Sequence, residues 1–168
     1  FNPADTATGI VNGLAGSNQI FVLKLDSDGN YLWAKGFGGP CGGFQTNVYK
    51  VAIETSTGAV YTAGSNSCAT DFNPDPAVSD TKTNSAYDVF VQKLDASGNY
   101  QWVLNLGSGG DDSVYAMEVD STGDFTITGG TQGGTSFFNF NPKGTTTTAS
   151  GAGNFLAKYL SLIHISEP

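Results

Sequence analysis

The sequence predicts an all-β protein made of repeated four-stranded antiparallel units. Three observations carry that prediction. The 168 residues include 23 glycines and 12% aromatics but only 13% charged residues, a profile that suits strands joined by tight turns. The chain also repeats itself: "IFVLKLDSDGNYLWA" at 20–34 returns as "VFVQKLDASGNYQWV" at 89–103, and "VAIETSTGAVYTAG" at 51–64 returns as "AMEVDSTGDFTITG" at 116–129. Repetition at such a period indicates stacked supersecondary units. Finally, apolar residues alternate, as in Phe21-Leu23-Leu25 against Val22-Lys24-Asp26, and no segment carries a helical period.

Taken in order, residues 19–38 read as two strands around the turn "DSDGN". Residues 48–55 and 59–65 form a hairpin around "STG", and 88–95 and 100–107 form another around "DASGN". The pattern restarts with strands at 114–120, 124–130 and 154–160, the last carried by "NFLAKYL". In each turn Gly supplies a positive φ, while Asp, Ser or Asn closes the turn through its side chain. Two successive hairpins make one four-stranded antiparallel blade, and serial blades make a β-propeller. The expected organisation is two strands of a preceding blade with part of its long loop over 1–47, a complete blade over 48–107 and a partial blade over 108–160. Residues 161–168, "SLIHISEP", break the repeat and are read as a non-native tail. Closed propellers have roughly four to eight blades, so the array is incomplete. The first residue is Phe, and the expectation is a fragment of a longer protein.

The consecutive pattern Phe-x-x-Lys-Leu-Asp-x-x-Gly-Asn-x-x-Trp, then Gly-Gly-Asp-Asp before a strand, then a strand-Asp-Ser-x-Gly-strand hairpin resembles the SBBP repeat, a bacterial β-propeller family. The resemblance runs from Phe1 to Leu160 and implies architecture more than activity. Gly39-Pro40-Cys41-Gly42-Gly43 departs from it, standing where the second copy has Gly109-Gly110-Asp111-Asp112.

Seven basic against fifteen acidic residues give a net charge of -8, which argues against nucleic acid and anionic membrane as partners. No apolar run reaches the roughly 20 residues of a membrane helix. Cations, sugars and proteins remain.

In an antiparallel meander the tight turns gather at one end and the long connections at the other, where binding usually resides. The long connections are 66–87 and 131–153, joined there by 38–47 and 108–113. "TDFNPDP" at 70–76 lies in the first of them. Its Asp71-x-Asn73-x-Asp75 matches the start of an EF-hand-type calcium loop, making calcium the one candidate cofactor. The match ends at Pro76 and Lys82, however, where a glycine and a bidentate Glu belong. Phe-Asn-Pro recurs without the flanking acids at Phe1-Asn2-Pro3 and Phe140-Asn141-Pro142, so a repeated loop anchor is the stronger reading. Asp111 and Asp112, with Asn73, are candidate binding residues, and solvated loop capping is the plainer role for the acidic pair.

Cys41 and Cys68 fall on the same end and have no counterparts in the next copy, as a disulfide pair would. A bridge implies an oxidising, extracytoplasmic location. Recurrent aromatics (Phe21, Phe90 and Phe155; Tyr31 and Tyr100; Trp33 and Trp102; Tyr49 and Tyr115) are expected to fill the space between sheets, with a sugar-stacking platform as the less favoured alternative. Lys24, Lys93 and Lys158 are expected to be solvated or paired. The functional expectation is a non-enzymatic scaffold, secreted or on the bacterial cell surface, that presents its long loops to a protein or carbohydrate ligand and packs against further blades. The alternatives are an enzyme with its active site in blades outside this segment and a calcium-stabilised structural module.

Overall fold

The computed structural model describes residues 18–40, 45–84, 86–132, 137–140, 148–150 and 152–161. Among these residues there is no helix, and antiparallel strands fall into successive sheets. The central sheet contains β3 (Thr46–Ile53), β4 (Val60–Asn66), β7 (Asp88–Leu94) and β8 (Tyr100–Leu106), in that order. A leading sheet begins with β1 (Asn18–Leu25) and β2 (Tyr31–Gly39). A trailing sheet contains β9 (Asp112–Val119), β10 (Phe125–Thr131) and β13 (Gly153–Tyr159), in the order β13-β10-β9.

The tight turns form as their residues dictate. Gly29, Gly58, Gly98 and Gly123 take φ between 76° and 83°, the left-handed region open to glycine at little cost. Asp26 Oδ1 accepts from the Asp28 and Asn30 amides at 2.9 and 2.8 Å, and Asp95 and Asp120 repeat the arrangement. The β3–β4 turn is one residue longer than the β9–β10 turn. Val60 and Phe125 are 65 apart, whereas their ladder partners Ile53 and Val119 are 66 apart. Lining up the sequences on their turn glycines therefore misplaces β9 by one position.

The long connections are more ordered than a loop reading anticipates. Residues 67–87 contain β5 (Thr70–Asp71) and β6 (Thr81–Lys82), which join the leading sheet in the order β1-β2-β5-β6 through the pair Gly38 and Asp71. β11 (Phe137–Asn139) and β12 (Thr148–Ser150) form the corresponding hairpin further on, and the Asn139 amide donates to the carbonyl of Gly107 at the end of the central sheet, 2.9 Å away. In both places a long connection clasps the last strand of the preceding sheet and blunts its exposed edge.

Apolar side chains fill two cores, one on each face of the central sheet. Toward the leading sheet lie Val22, Trp33, Phe37, Val60, Phe72, Phe90, Leu94 and Val103. Toward the trailing sheet lie Tyr61, Ala63, Val89, Val91, Leu104, Leu106, Phe125 and Ile127. The repeat shows what happens where no sheet among the described residues covers a strand. Phe90, Gln92 and Leu94 are 0% exposed, whereas Phe21, Leu23 and Leu25, 69 residues earlier in each case, are 54%, 37% and 45% exposed.

The recurrent lysines are all paired, and the first of them ties one sheet to the next. Lys24 Nζ donates to the carbonyls of Gly58 and Ala96 in the turns of the central sheet, at 2.7 and 3.2 Å, and Trp33 Nε1 also reaches Ala96. Lys93 is buried, 2.8 Å from the buried Glu54 carboxylate and over the Tyr61 ring. Tyr61 in turn donates to the carbonyl of Gly123 in the trailing sheet. Lys158 pairs with Asp120 and Asp124 of its own sheet and stays half-exposed.

Candidate functional site

At the long-loop end, "TDFNPDP" is held by its aromatic ring. Phe72 is fully buried, 4.7 Å from the Phe90 ring and 5.7 Å from Phe37, and its carbonyl accepts from Gln92 Nε2 at 2.6 Å. Phe140 repeats the arrangement against Phe155 at 5.5 Å, with its carbonyl accepting from Tyr159 Oη. Phe1-Asn2-Pro3 lies outside the described residues.

The acids around that ring follow a simple rule. Asp71 Oδ1 accepts from the Asn73 amide, Asn73 Oδ1 from the Asp75 amide, and Asp75 Oδ1 from the Ala77 amide, at 3.0, 3.0 and 2.9 Å. Each is an Asx turn, in which a side-chain oxygen caps an amide two residues on. The alternation that resembles a calcium loop is thus a staircase of caps. Asp71 Oδ1 also takes the Asp80 amide, and Asp80 receives the Tyr100 hydroxyl and Lys82, tying the loop to β8. Asn73 itself is buried. Among the described residues no three His, Cys, Asp or Glu side chains gather as a metal centre would need.

Cys68 is disulfide-bonded and lies beside the Thr46 and Thr70 hydroxyls. The chain has one other cysteine, Cys41, which lies outside the described residues.

Asp111 and Asp112 point to different places. Asp111 is exposed and its Oδ1 accepts from the Tyr87 amide. Asp112 is 0% exposed, contrary to the solvated role expected of it, because Ser108 folds back to donate both its amide, at 2.7 Å, and its hydroxyl to the carboxylate. Below it sits Asp88, which sequence reasoning missed. Asp88 Oδ1 is buried without a hydrogen-bond partner, while the rest of the carboxyl has a 3.5 Å contact from Asn105 Nδ2 to Oδ2 and an interaction with the Ser108 backbone. Burial, then the charge of Asp112, pushes the Asp88 carboxyl up to about 7, and burial also raises Asp112. A Cβ at Gly107 would collide with the Asp88 carboxylate, so glycine is what lets this acid lie under the chain. Asn84 and Asn105 exchange hydrogen bonds beside it, and Asn84 continues the network to Asn66. One signal was available in the sequence: the repeat places Gln19 and Gly153 where Asp88 stands.

The recurrent aromatics divide. Trp33 is buried between sheets, as expected, and Trp102 stacks on Phe125 at 5.8 Å. Tyr49 and Tyr115 are not interior packing: each occupies a β-bulge, in β3 and β9, and they are 48% and 56% exposed. A bulge inserts one unpaired residue and re-aims its side chain. Tyr115 lies against Gly130, where any Cβ would meet its hydroxyl, and Tyr49 receives the Ser65 hydroxyl at 3.3 Å. A depression of about 380 Å³ lies between the two strands, lined by Tyr49, Lys50, Ser113, Val114 and Tyr115. A second, of about 180 Å³, continues from Ser113 and Tyr115 to Asp111, Gln132 and Asn154.

No family model matches the chain. A regulatory protein, FlaEY, of Caulobacter vibrioides is similar to it, 28% identical over 128 residues. That alignment covers 71% of this chain and 13% of FlaEY. The chain therefore corresponds to a small part of that protein's length.

Proposed function

We propose that the chain is a non-enzymatic segment of a β-propeller of the SBBP-repeat type, whose long-loop end binds a protein or carbohydrate ligand. The observation that carries the reading is the pair of bulged, half-exposed tyrosines at equivalent positions of β3 and β9, bordering the two depressions. A fold that only needed filler would bury those rings, as it buries Phe90 and Phe125. The three sheets act as successive blades, and the apolar stripe of Phe21, Leu23 and Leu25 takes a further blade of the same protein, as Phe90 and Leu94 take the leading sheet. FlaEY is named for regulation, a role that fits a binding segment. Calcium is given no part, since the oxygens of Asp71, Asn73 and Asp75 cap the loop. The bonded state of Cys68 supports a Cys41–Cys68 bridge, and with it a secreted or surface location on a bacterial cell.

The test compares the chain with a Tyr49→Ser/Tyr115→Ser variant on arrays of extracellular proteins and glycans, after circular dichroism has shown equal folding. Binding that disappears in the variant is expected. Equal binding by the two chains, or turnover of a substrate by the unsubstituted one, overturns the reading.

A further inference from the structure

Resting on the reading of the long-loop end as a binding face, we infer that its ligand is a neutral saccharide whose pyranose ring stacks on Tyr115. A pyranose offers one face of C–H groups and a rim of hydroxyls, so it is matched by an exposed aromatic ring edged with short polar groups that both donate and accept. Tyr115 provides the ring. Its bulge lifts it out of the alternation of β9, and Gly130 lets it lie close to β10. Around it the smaller depression provides the Ser113 hydroxyl, the Gln132 and Asn154 amides and the Asp111 carboxylate. Hydroxyls and amides each donate and accept, while the carboxylate only accepts, which together suits vicinal hydroxyls.

Charge narrows the class further. Exposed Asp111 stands on this wall with Asp112 buried next to it, and an acidic sugar would bring a third negative charge to the same place. Lys50 lies in the larger depression, on the side of Ser113 and Tyr115 away from Asp111. That larger depression, at about 380 Å³, falls within the roughly 300–1,000 Å³ of small-molecule sites. Because the two depressions share Ser113 and Tyr115, the trough accommodates more than one sugar unit, with Tyr49 bounding the second.

The test titrates the 168-residue chain by calorimetry with hexasaccharides of β-1,4-glucan, β-1,4-xylan, β-1,4-galactan and α-1,4-glucan, and with hexagalacturonate. At least one neutral chain is expected to bind. Tyr115→Ala should weaken it tenfold or more, Tyr115→Phe should keep it within about threefold, and hexagalacturonate should not bind until Asp111→Asn removes the repelling charge. Saturation-transfer NMR on the unsubstituted chain, which does not depend on any variant folding, should show magnetisation passing from aromatic protons to the sugar. Absence of binding by every neutral hexasaccharide, or equal affinity in a folded Tyr115→Ala chain, overturns the inference. If these fail while Tyr49→Ser/Tyr115→Ser still abolishes capture of an arrayed protein, the saccharide falls and the binding face stands. If both fail, so does the face.

Discussion

The two ends of the central sheet bury charge in opposite ways. At the turn end, Glu54, Lys93 and Tyr61 form a balanced cluster in which the carboxylate has both a cation and a hydroxyl. At the long-loop end, Asp88 and Asp112 place two acids together, with no cation beside either among the described residues and one oxygen unpartnered. β7 carries a member of each cluster, Asp88 at its start and Lys93 near its finish. The difference teaches which end is built for cohesion. Buried charges that are paired and hydrogen-bonded hold neighbouring elements in register, whereas an unpaired buried acid is strain that only surrounding structure can sustain.

The largest expected effect comes from unbalancing the turn end. Glu54→Ala leaves the Lys93 ammonium buried without its carboxylate, and removing one partner of a buried pair costs about 3–5 kcal/mol. Urea denaturation should show that loss. A loss below about 1 kcal/mol would mean that Lys93 escapes to solvent and that the two ends are less different than they look.

Next in size is the long-loop end, where the expected sign is reversed. The Asp88 carboxyl is raised to about 7 from an ordinary 3.8, so between those values the folded chain keeps a proton that the unfolded chain releases. Its contribution to stability is therefore full below about pH 4, falls as pH rises toward 7, and stays lost above. Glu54 works the other way. Burial raises its carboxyl, but hydrogen bonds from Lys93 and Thr57, the Lys93 charge and Tyr61 outweigh that and leave it lowered, so its contribution is present above about 4.5 and disappears in acid. Asp88→Asn should consequently stabilise the chain at pH 8, by about 1–3 kcal/mol for relieving a buried unsatisfied group, and change little at pH 4. Denaturation midpoints at the two pH values check this. Destabilisation at pH 8 would show that the carboxylate is satisfied.

Why was one end more legible than the other? Strands and tight turns follow from local chemistry: period-two alternation, a glycine at positive φ and an aspartate capping it, all visible in "DSDGN" and "DASGN". The Phe-Asn-Pro anchor was also legible, because Phe72 and Phe140 recur while the acids beside them do not. The long-loop end depends on distant partners instead. The two-residue strands β5 and β6 have too little sequence to declare themselves and exist because Gly38 offers Asp71 a partner. Asp88 is buried only because Gly107 leaves room above it. The exposure of Tyr49 and Tyr115 turns on bulges in the ladders, a matter of register that a repeat alignment built on turn glycines cannot detect. Asp112 has a nearby partner instead, since Ser108 four residues earlier folds back to cap its carboxylate, but nothing in a pair of adjacent acids tells which of the two is capped.

The smallest expected effect concerns the acids of "TDFNPDP", which lie near the unbalanced end yet belong to neither kind of cluster. Asp71 is partly exposed, and its Oδ1 takes the amides of Asn73 and Asp80. Asp71→Ala removes a cap and should cost about 1 kcal/mol, read as a lowered urea midpoint, without altering the pH dependence set by Asp88 and Glu54. Because the Asp71, Asn73 and Asp75 oxygens that cap the loop are already engaged by amides, and Ca²⁺ takes six to eight oxygen ligands, added calcium should leave the midpoint where it was in both chains. A rise with calcium that Asp71→Ala abolishes would turn the staircase of caps into a cation site, and the long-loop end would then hold its excess of acids for a reason that the turn end does not share.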